Sequence, residues 1–166
     1  IQGYSPSKDD IRIAKGVARS FVYQRDLVDK AEAIEALFMM GSLGTIAHAD
    51  NSDIDVWVCH TENLSHAALD ELHEKCNALT RWAADNAHIE AHFFLMEAHK
   101  FRQGQHTLLT SEASGTAQHF LLLDEFYRTA VWLAGRLPLW WFVPVEQEYN
   151  YAGYTKNLLD KRFLRA

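Results

Sequence analysis

Two aspartates near the middle of the chain have the spacing that most clearly indicates chemistry. They lie in the stretch Asp53-Ile54-Asp55-Val56-Trp57. Because successive side chains of a β-strand point to opposite faces, Asp53 and Asp55 project to one side and the apolar residues between and after them to the other. Two carboxylates on one face of a strand can share hard divalent cations, which prefer oxygen ligands. The pair therefore predicts a metal-dependent site.

A Gly-Ser pair precedes the aspartates at the end of an apolar run. The run Ile34 to Met40 is followed directly by Gly41 and Ser42. A glycine lets the backbone approach a phosphate without a clash at Cβ, and free N–H groups with a serine hydroxyl can donate to phosphate oxygens. An apolar strand ending in Gly-Ser, then a loop, then Asp-apolar-Asp resembles the nucleotidyltransferase signature of the DNA polymerase β superfamily.

That signature implies a third carboxylate on a neighbouring strand. Nucleotidyl transfer uses about three carboxylates around two cations. In the predicted strand Ile89 to Met96, Glu90, His92 and Phe94 share the face opposite to the apolar set. Glu90 is therefore predicted to join Asp53 and Asp55 as catalytic residue and metal ligand. The alternative for Glu90 is an exposed glutamate at the end of a strand.

Four further residues are candidates for contacts with a nucleotide. Trp57 shares the face of the two aspartates and either stacks on a base or ribose or packs in the core. Arg128 and Arg136 lie on one predicted helix and either reach a polyphosphate or form surface salt bridges. His119, near the start of that helix, either hydrogen-bonds a phosphate or serves in capping or packing.

The pattern of apolar residues predicts eight elements in the order α-β-β-α-β-α-β-α. They are a helix over 8–25, strands over 34–40 and 53–59, a helix over 64–86, a strand over 89–96, a helix over 116–134, a strand over 139–143 and a helix from 146. This order indicates an α+β fold with a small mixed sheet covered by helices. One catalytic domain over 1–166 is expected, with a leading helix and linker (1–35), a core (36–145) and a C-terminal helix (146–166).

Composition and charge limit the classes of function. The chain has 166 residues, 48% of them hydrophobic, which suits one globular domain. Its net charge of -6 argues against a nucleic-acid binder, so a small nucleotide is favoured over a duplex. With no apolar run long enough to span a membrane and no signal peptide, a cytoplasmic protein is predicted. The missing initiator Met and an open helical pattern at the end indicate a domain cut from a longer protein.

A closer resemblance follows from longer stretches. Met40-Gly41-Ser42 with Ser52 to His60, Glu90 with Phe93-Phe94-Leu95, and the run Gln118 to Val131 are similar to the catalytic core of class I adenylate cyclases of proteobacteria. The resemblance implies cyclisation of ATP to 3′,5′-cyclic AMP and pyrophosphate, by attack of the ribose 3′-hydroxyl on the α-phosphate. It implies two Mg²⁺ or Mn²⁺ ions and a C-terminal regulatory region that this chain lacks.

Carried over by position, the same resemblance assigns roles to single residues. Gly41 and Ser42 hold phosphates, Asp53 and Asp55 hold metal, and Trp57 lies beside the nucleotide. Two other functions use the same residues. A nucleotidyltransferase would move AMP to a protein or small-molecule hydroxyl and would need a second substrate. An inactive nucleotide-binding domain would bind ATP without turnover.

Overall fold

The computed structural model describes residues 1, 4–23, 33–41, 46, 49, 52–62, 64–97, 99–100 and 115–161, with the backbone alone for 115–120. The chain divides into two compact units, Ile1–Gly135 and Arg136–Ala166. None of the helices within the described ranges is long and apolar enough to cross a membrane.

Three helices and four strands have their bounds within the described residues of the first unit. They are α1 (Lys8–Val17), β1 (Ile34–Met40), β2 (Ile54–His60), α2 (His66–Trp82, continued by a π-helical turn over Ala83–Ala87), β3 (Ala91–Glu97), α3 (Gly115–Thr129) and β4 (Val131–Gly135). The second unit contains 3₁₀ helices over Leu139–Phe142 and Val145–Asn150 and the helix α4 (Tyr151–Asp160). These named elements follow one another in the predicted order, and His99 and Lys100, between β3 and α3, are also helical.

The strands form one four-stranded mixed sheet in the order β3-β2-β1-β4. β1 runs antiparallel to both β2 and β4, whereas β2 and β3 are parallel. A parallel pair needs a crossover connection, and α2 with its π-helical turn provides it. The predicted α+β class with a small mixed sheet is confirmed.

Serine caps set the starts of two helices. The Ser7 hydroxyl accepts the backbone N–H of Asp10 at 3.1 Å, and the Asp10 carboxylate accepts the N–H of Ser7 at 2.7 Å, which makes a capping box at α1. The Ser65 hydroxyl accepts the N–H of Ala68 at 3.2 Å and starts α2. Each cap satisfies an N–H that lacks a partner in the first turn.

The two faces of the sheet bury separate apolar clusters. Alternation along β2 sends Val56 and Val58 to one face, where they pack with Leu72 and Cys76 of α2. Trp57 goes to the other face, which α3 covers. The cluster there contains Ala36, Phe38, Met40, Trp57, Met96 and Leu122. The face that carries Val56 and Val58 is the α2 face, and the face that carries Trp57 is the α3 face.

The fourth strand lies in a different segment from the one predicted. Val131–Gly135 pairs with β1, so the helix predicted over 116–134 ends at Thr129. The segment 139–143, predicted as a strand, contains a 3₁₀ helix between two prolines instead. The apolar residues keep a helical spacing through Ala134, which is why the sequence predicts a longer helix. The pairing with β1 that makes this segment a strand is non-local and is not visible in that spacing. At Gly135 (φ +91°) a Cβ would lie 2.7 Å from the Cα of Ala36, so only glycine fits this close approach.

Three other bounds differ from those predicted. α1 ends at Val17, not at 25, because Ala18 adopts an extended conformation that ends the helix. β2 begins at Ile54 and β3 at Ala91, so Asp53 and Glu90 directly precede their strands. The predicted helix over 64–86 comprises α2 and the π-helical turn.

Candidate functional site

The predicted metal-binding strand opens into a cavity on the α3 face of the sheet. The cavity has a volume of about 390 Å³. Its lining residues are Met40, Asp53, Asp55, Trp57, His92, Phe94, Leu122 and Glu125. They come from the end of β1, from β2 and the residue directly before it, from β3 and from α3, all within the first unit.

Asp53 and Asp55 reach this cavity together, as the strand alternation predicts. Partial burial raises the pKa of Asp55 above its ordinary value, and the charge of Asp53 raises it further. His92, which lies opposite Asp55 in the parallel register, opposes the rise. The partly buried Asp55 carboxylate is therefore repelled by the exposed carboxylate of Asp53, and a cation between them would relieve this repulsion.

Gly41 closes β1 beside the same carboxylates. Met40 pairs with Asp55 across the antiparallel register, and Gly41 follows with φ +84°. A Cβ on Gly41 would lie 3.9 Å from the Asp55 Oδ2, so its backbone lies close to that carboxylate. This left-handed conformation favours glycine. Ser42, predicted to share the phosphate contact, lies outside the described residues.

Glu90 lies beside the cavity, and its carboxylate contacts His92. The Glu90 side chain is 74% exposed, and its Oε1 lies 3.1 Å from the His92 Nε2. His92 itself lines the cavity, whereas Glu90 does not. The structure thus places the predicted third metal ligand within reach of His92. Its predicted role as a metal ligand stays a prediction.

Trp57 is part of the core and borders the cavity. Its side chain is 4% exposed and stacks on Phe126 of α3, with ring centroids 5.4 Å apart and an interplanar angle of 10°. The packing role left open by the sequence is therefore present. The tryptophan also joins α3 to the strand that carries both aspartates.

The two arginines do not share a helix, and that part of the prediction is wrong. Arg128 is on α3, 73% exposed, with its Nε 2.9 Å from the Asp124 Oδ1. Arg136 follows β4 and belongs to the second unit. The prediction extends the helix through Ala134, over the residues that form β4, and these residues separate the two arginines along the chain. His119 belongs to α3, where the structure describes its backbone but not its side chain.

The sequence-based predictions assigned no role to two polar residues of the cavity lining, His92 and Glu125. The signal for His92 was available, because it shares a strand face with Glu90 and Phe94. Glu125 comes three residues after Leu122 and directly before Phe126, both of which pack on the α3 face. That helical spacing could have placed Glu125 at the border of the packed surface.

The residues present fit a divalent cation through two carboxylates. Over the described ranges, no group of three or more His, Cys, Asp and Glu side chains is arranged to hold a metal ion. Mg²⁺, however, is commonly bound by one or two carboxylates, with water and substrate phosphates completing its coordination. Asp53 and Asp55 line one cavity, and the charge of Asp53 contributes to raising the pKa of Asp55, so the pair meets that requirement.

Comparison with known proteins identifies the family. The sequence profile described as adenylate cyclase NT domain matches residues 1–141. The chain therefore belongs to the adenylate cyclase N-terminal domain family.

Curated relatives support this family assignment. An adenylate cyclase of Yersinia intermedia is 46% identical over 125 residues, which cover 75% of this chain and 15% of that protein. An adenylate cyclase of Escherichia coli K12 is 42% identical over 125 residues, with the same two shares. The chain thus spans about 15% of the length of the curated relatives it matches.

Solved structures show a weaker likeness. A toxin–antitoxin crystal structure with AMP-PNP aligns over 82% of this chain and 86% of its own, with a TM-score of 0.35 and 18% sequence identity.

Proposed function

We propose that this chain is the catalytic domain of an adenylate cyclase, with a nucleotidyltransferase fold of the polymerase β type, which converts ATP to 3′,5′-cyclic AMP and pyrophosphate. The observation that carries the proposal is the pair Asp53 and Asp55 facing one cavity on the α3 face. Membership of the adenylate cyclase N-terminal domain family supports ATP as the substrate. The proposal includes a cytoplasmic location and regulation by a region beyond this chain.

The reaction joins two groups of the same nucleotide. The ribose 3′-oxygen forms a bond to the α-phosphorus, the bond to the bridging oxygen of the β-phosphate breaks, and pyrophosphate leaves with that electron pair. The hydroxyl proton passes to solvent. Divalent cations, when bound, lower the pKa of the attacking hydroxyl and neutralise charge on the triphosphate.

The chain itself supplies binding and orientation. Asp53 and Asp55 would hold Mg²⁺ or Mn²⁺ through their oxygens, and the repulsion between them favours a bound cation. The backbone of Gly41 next to Asp55 leaves room for phosphate oxygens on this side of the cavity. Phe94 and Leu122 provide apolar surface for the uncharged part of the nucleotide.

The test is incubation of the chain with ATP and Mg²⁺ or Mn²⁺, with products separated by chromatography. Asp53→Asn and Asp55→Asn remove one metal-binding charge each. Asp70→Asn is the matched control, because Asp70 is exposed on α2 at the other face of the sheet. We expect cyclic AMP and pyrophosphate from the wild type and Asp70→Asn, and a loss on the order of 10³-fold in both site variants.

The outcomes separate the three functions. Cyclic AMP formed from ATP and metal alone supports the cyclase. AMP attached to an added protein or small-molecule hydroxyl, without cyclic AMP, would assign the chain to the nucleotidyltransferases that need an acceptor. Metal-dependent ATP binding with neither product would make it an inactive nucleotide-binding domain.

A further inference from the structure

Helix α3 brings a third carboxylate, that of Glu125, into the cavity. Two contacts of α3 set its rotation. Leu122 is 8% exposed in the core of the α3 face, and Phe126 stacks on Trp57. Glu125 lies one turn after Leu122 and next to Phe126, so its side chain points to the cavity that Asp53 also lines.

The Glu125 carboxylate has no hydrogen-bond or ion-pair partner among the described residues. Its backbone carbonyl accepts a hydrogen bond from the Thr129 hydroxyl at 2.9 Å, and this bond does not involve the carboxylate. The preceding residue differs, because Asp124 pairs with Arg128 on the outer side of the helix. A partly buried carboxylate without a partner costs free energy, and a ligand with a hydrogen-bond donor would offset that cost.

The charge of Glu125 limits which part of a nucleotide it can contact. A carboxylate accepts hydrogen bonds from O–H and N–H groups and repels phosphate oxygens. Under the proposed function, the triphosphate lies with the cations at Asp53 and Asp55. The ribose is bonded directly to the α-phosphate, so its hydroxyls are the nearest donors to this group. The exocyclic amine of the base lies a whole ring system further away.

We infer that Glu125 accepts a hydrogen bond from a ribose hydroxyl of the bound nucleotide and so orients the sugar for reaction. This inference rests on the proposed function, since it places the triphosphate at the two aspartates. It assigns substrate positioning to α3, whereas metal binding belongs to β2.

The test is a binding cycle between protein and nucleotide variants. Affinities for ATP, 2′-deoxy-ATP, 3′-deoxy-ATP and inosine triphosphate are measured by calorimetry with Ca²⁺ in place of Mg²⁺, so that turnover does not interfere. The variants are Glu125→Ala and Glu125→Gln. Glu71→Gln, an exposed glutamate on α2, is the matched control. Thermal unfolding of each variant checks that it is folded.

We expect Glu125→Ala to lower ATP affinity by about tenfold, the effect of one hydrogen bond to a charged group. Removing the contacted hydroxyl from the nucleotide should cost the wild type about the same factor and cost Glu125→Ala little. Glu125→Gln should retain part of the affinity, and Glu71→Gln all of it.

Other results overturn the inference. An equal loss for all four nucleotides would show a general effect on the cavity, and no loss would show that Glu125 does not touch the ligand. If Glu125→Ala lowers the affinity for the other three nucleotides but not for inosine triphosphate, which lacks the exocyclic amine, the contact belongs to the base amine. If the wild type binds ATP but Glu125→Ala shows no difference in affinity loss between the nucleotides, only this inference fails. If the wild type binds no ATP, the proposed function fails with it.

Discussion

The two faces of the sheet, built from the same strands, differ in what they bury. On the α2 face Val56 and Val58 are 7% and 3% exposed and pack against the apolar side of α2. On the α3 face lie Asp55 and Trp57 of β2 and Asp53 directly before the strand, and all three line a cavity next to α3.

The difference shows how one strand combines stability and chemistry. Alternate residues of β2 serve a closed apolar layer and an open polar site, separated only by the backbone. The closed layer fixes the strand, so the carboxylates on the other face are held by residues that never touch a ligand. Partial burial of Asp55 beside Asp53 is unfavourable by itself, and the α2 face offsets it.

The largest expected effect comes from placing a carboxylate on the wrong face. Val58→Asp would bury an unpaired charge on the α2 face, and we expect a loss of at least about 4 kcal/mol in the free energy of unfolding. Urea unfolding measures it. Val58→Ala is the control, since it removes the packing without adding a charge. Equal losses in both variants would show that the α2 face is not closed to water.

A pair of matched leucines compares the packing of the two faces. Leu72 on the α2 face and Leu122 on the α3 face are both 8% exposed. We expect Leu72→Ala to lower the free energy of unfolding by about 3 kcal/mol and Leu122→Ala by about 2 kcal/mol. Leu122 already borders a cavity, so its truncation removes fewer packing contacts than that of Leu72. A larger loss at Leu122 in denaturant unfolding would contradict this ranking.

Neutralising Asp55 should stabilise the protein. Because burial and Asp53 raise the pKa of this carboxyl above 3.8, its favourable contribution to folding exists at low pH and is lost as the pH rises through the folded-state pKa. Asp55→Asn should therefore add between about 0.5 and 1 kcal/mol at neutral pH, after allowance for solvent screening, and nothing below about pH 3.5.

Thermal unfolding across pH checks the prediction for Asp55, with Asp70→Asn as control. Added Mg²⁺ should raise the midpoint of the wild type and not that of Asp55→Asn, because only the first keeps both carboxylates. A destabilised Asp55→Asn at pH 7 would mean that the carboxylate is held by favourable contacts instead.

The smallest effect is expected outside both faces. Arg128 pairs with Asp124 on the solvent side of α3, and Arg128→Gln should cost less than about 0.5 kcal/mol. Arg12→Gln, which breaks the exposed pair with Asp9, is a matched control. ATP affinity is the second measurement. A fall of more than about tenfold in Arg128→Gln would support the predicted phosphate contact and would extend the site beyond the cavity lining.

Local pattern was sufficient for the centre of the fold. The alternation of Asp53 and Asp55 with apolar neighbours defines both the strand and the face that carries the chemistry. The Ser65 cap and the apolar period of α2 identify the crossover helix, and Gly41 marks the end of β1. Each of these signals lies within a few residues of the feature it predicts, so no long-range contact was needed.

Tertiary structure decided the rest. β4 is a strand because Val131–Gly135 pairs with β1, almost a hundred residues earlier along the chain, and that choice separates Arg128 from Arg136. The rotation of α3, set by Leu122 and by Phe126 against Trp57, brings Glu125 into the cavity that the aspartates line. Such contacts depend on how separate elements meet, and hydrophobic spacing within one segment carries no information about its partner.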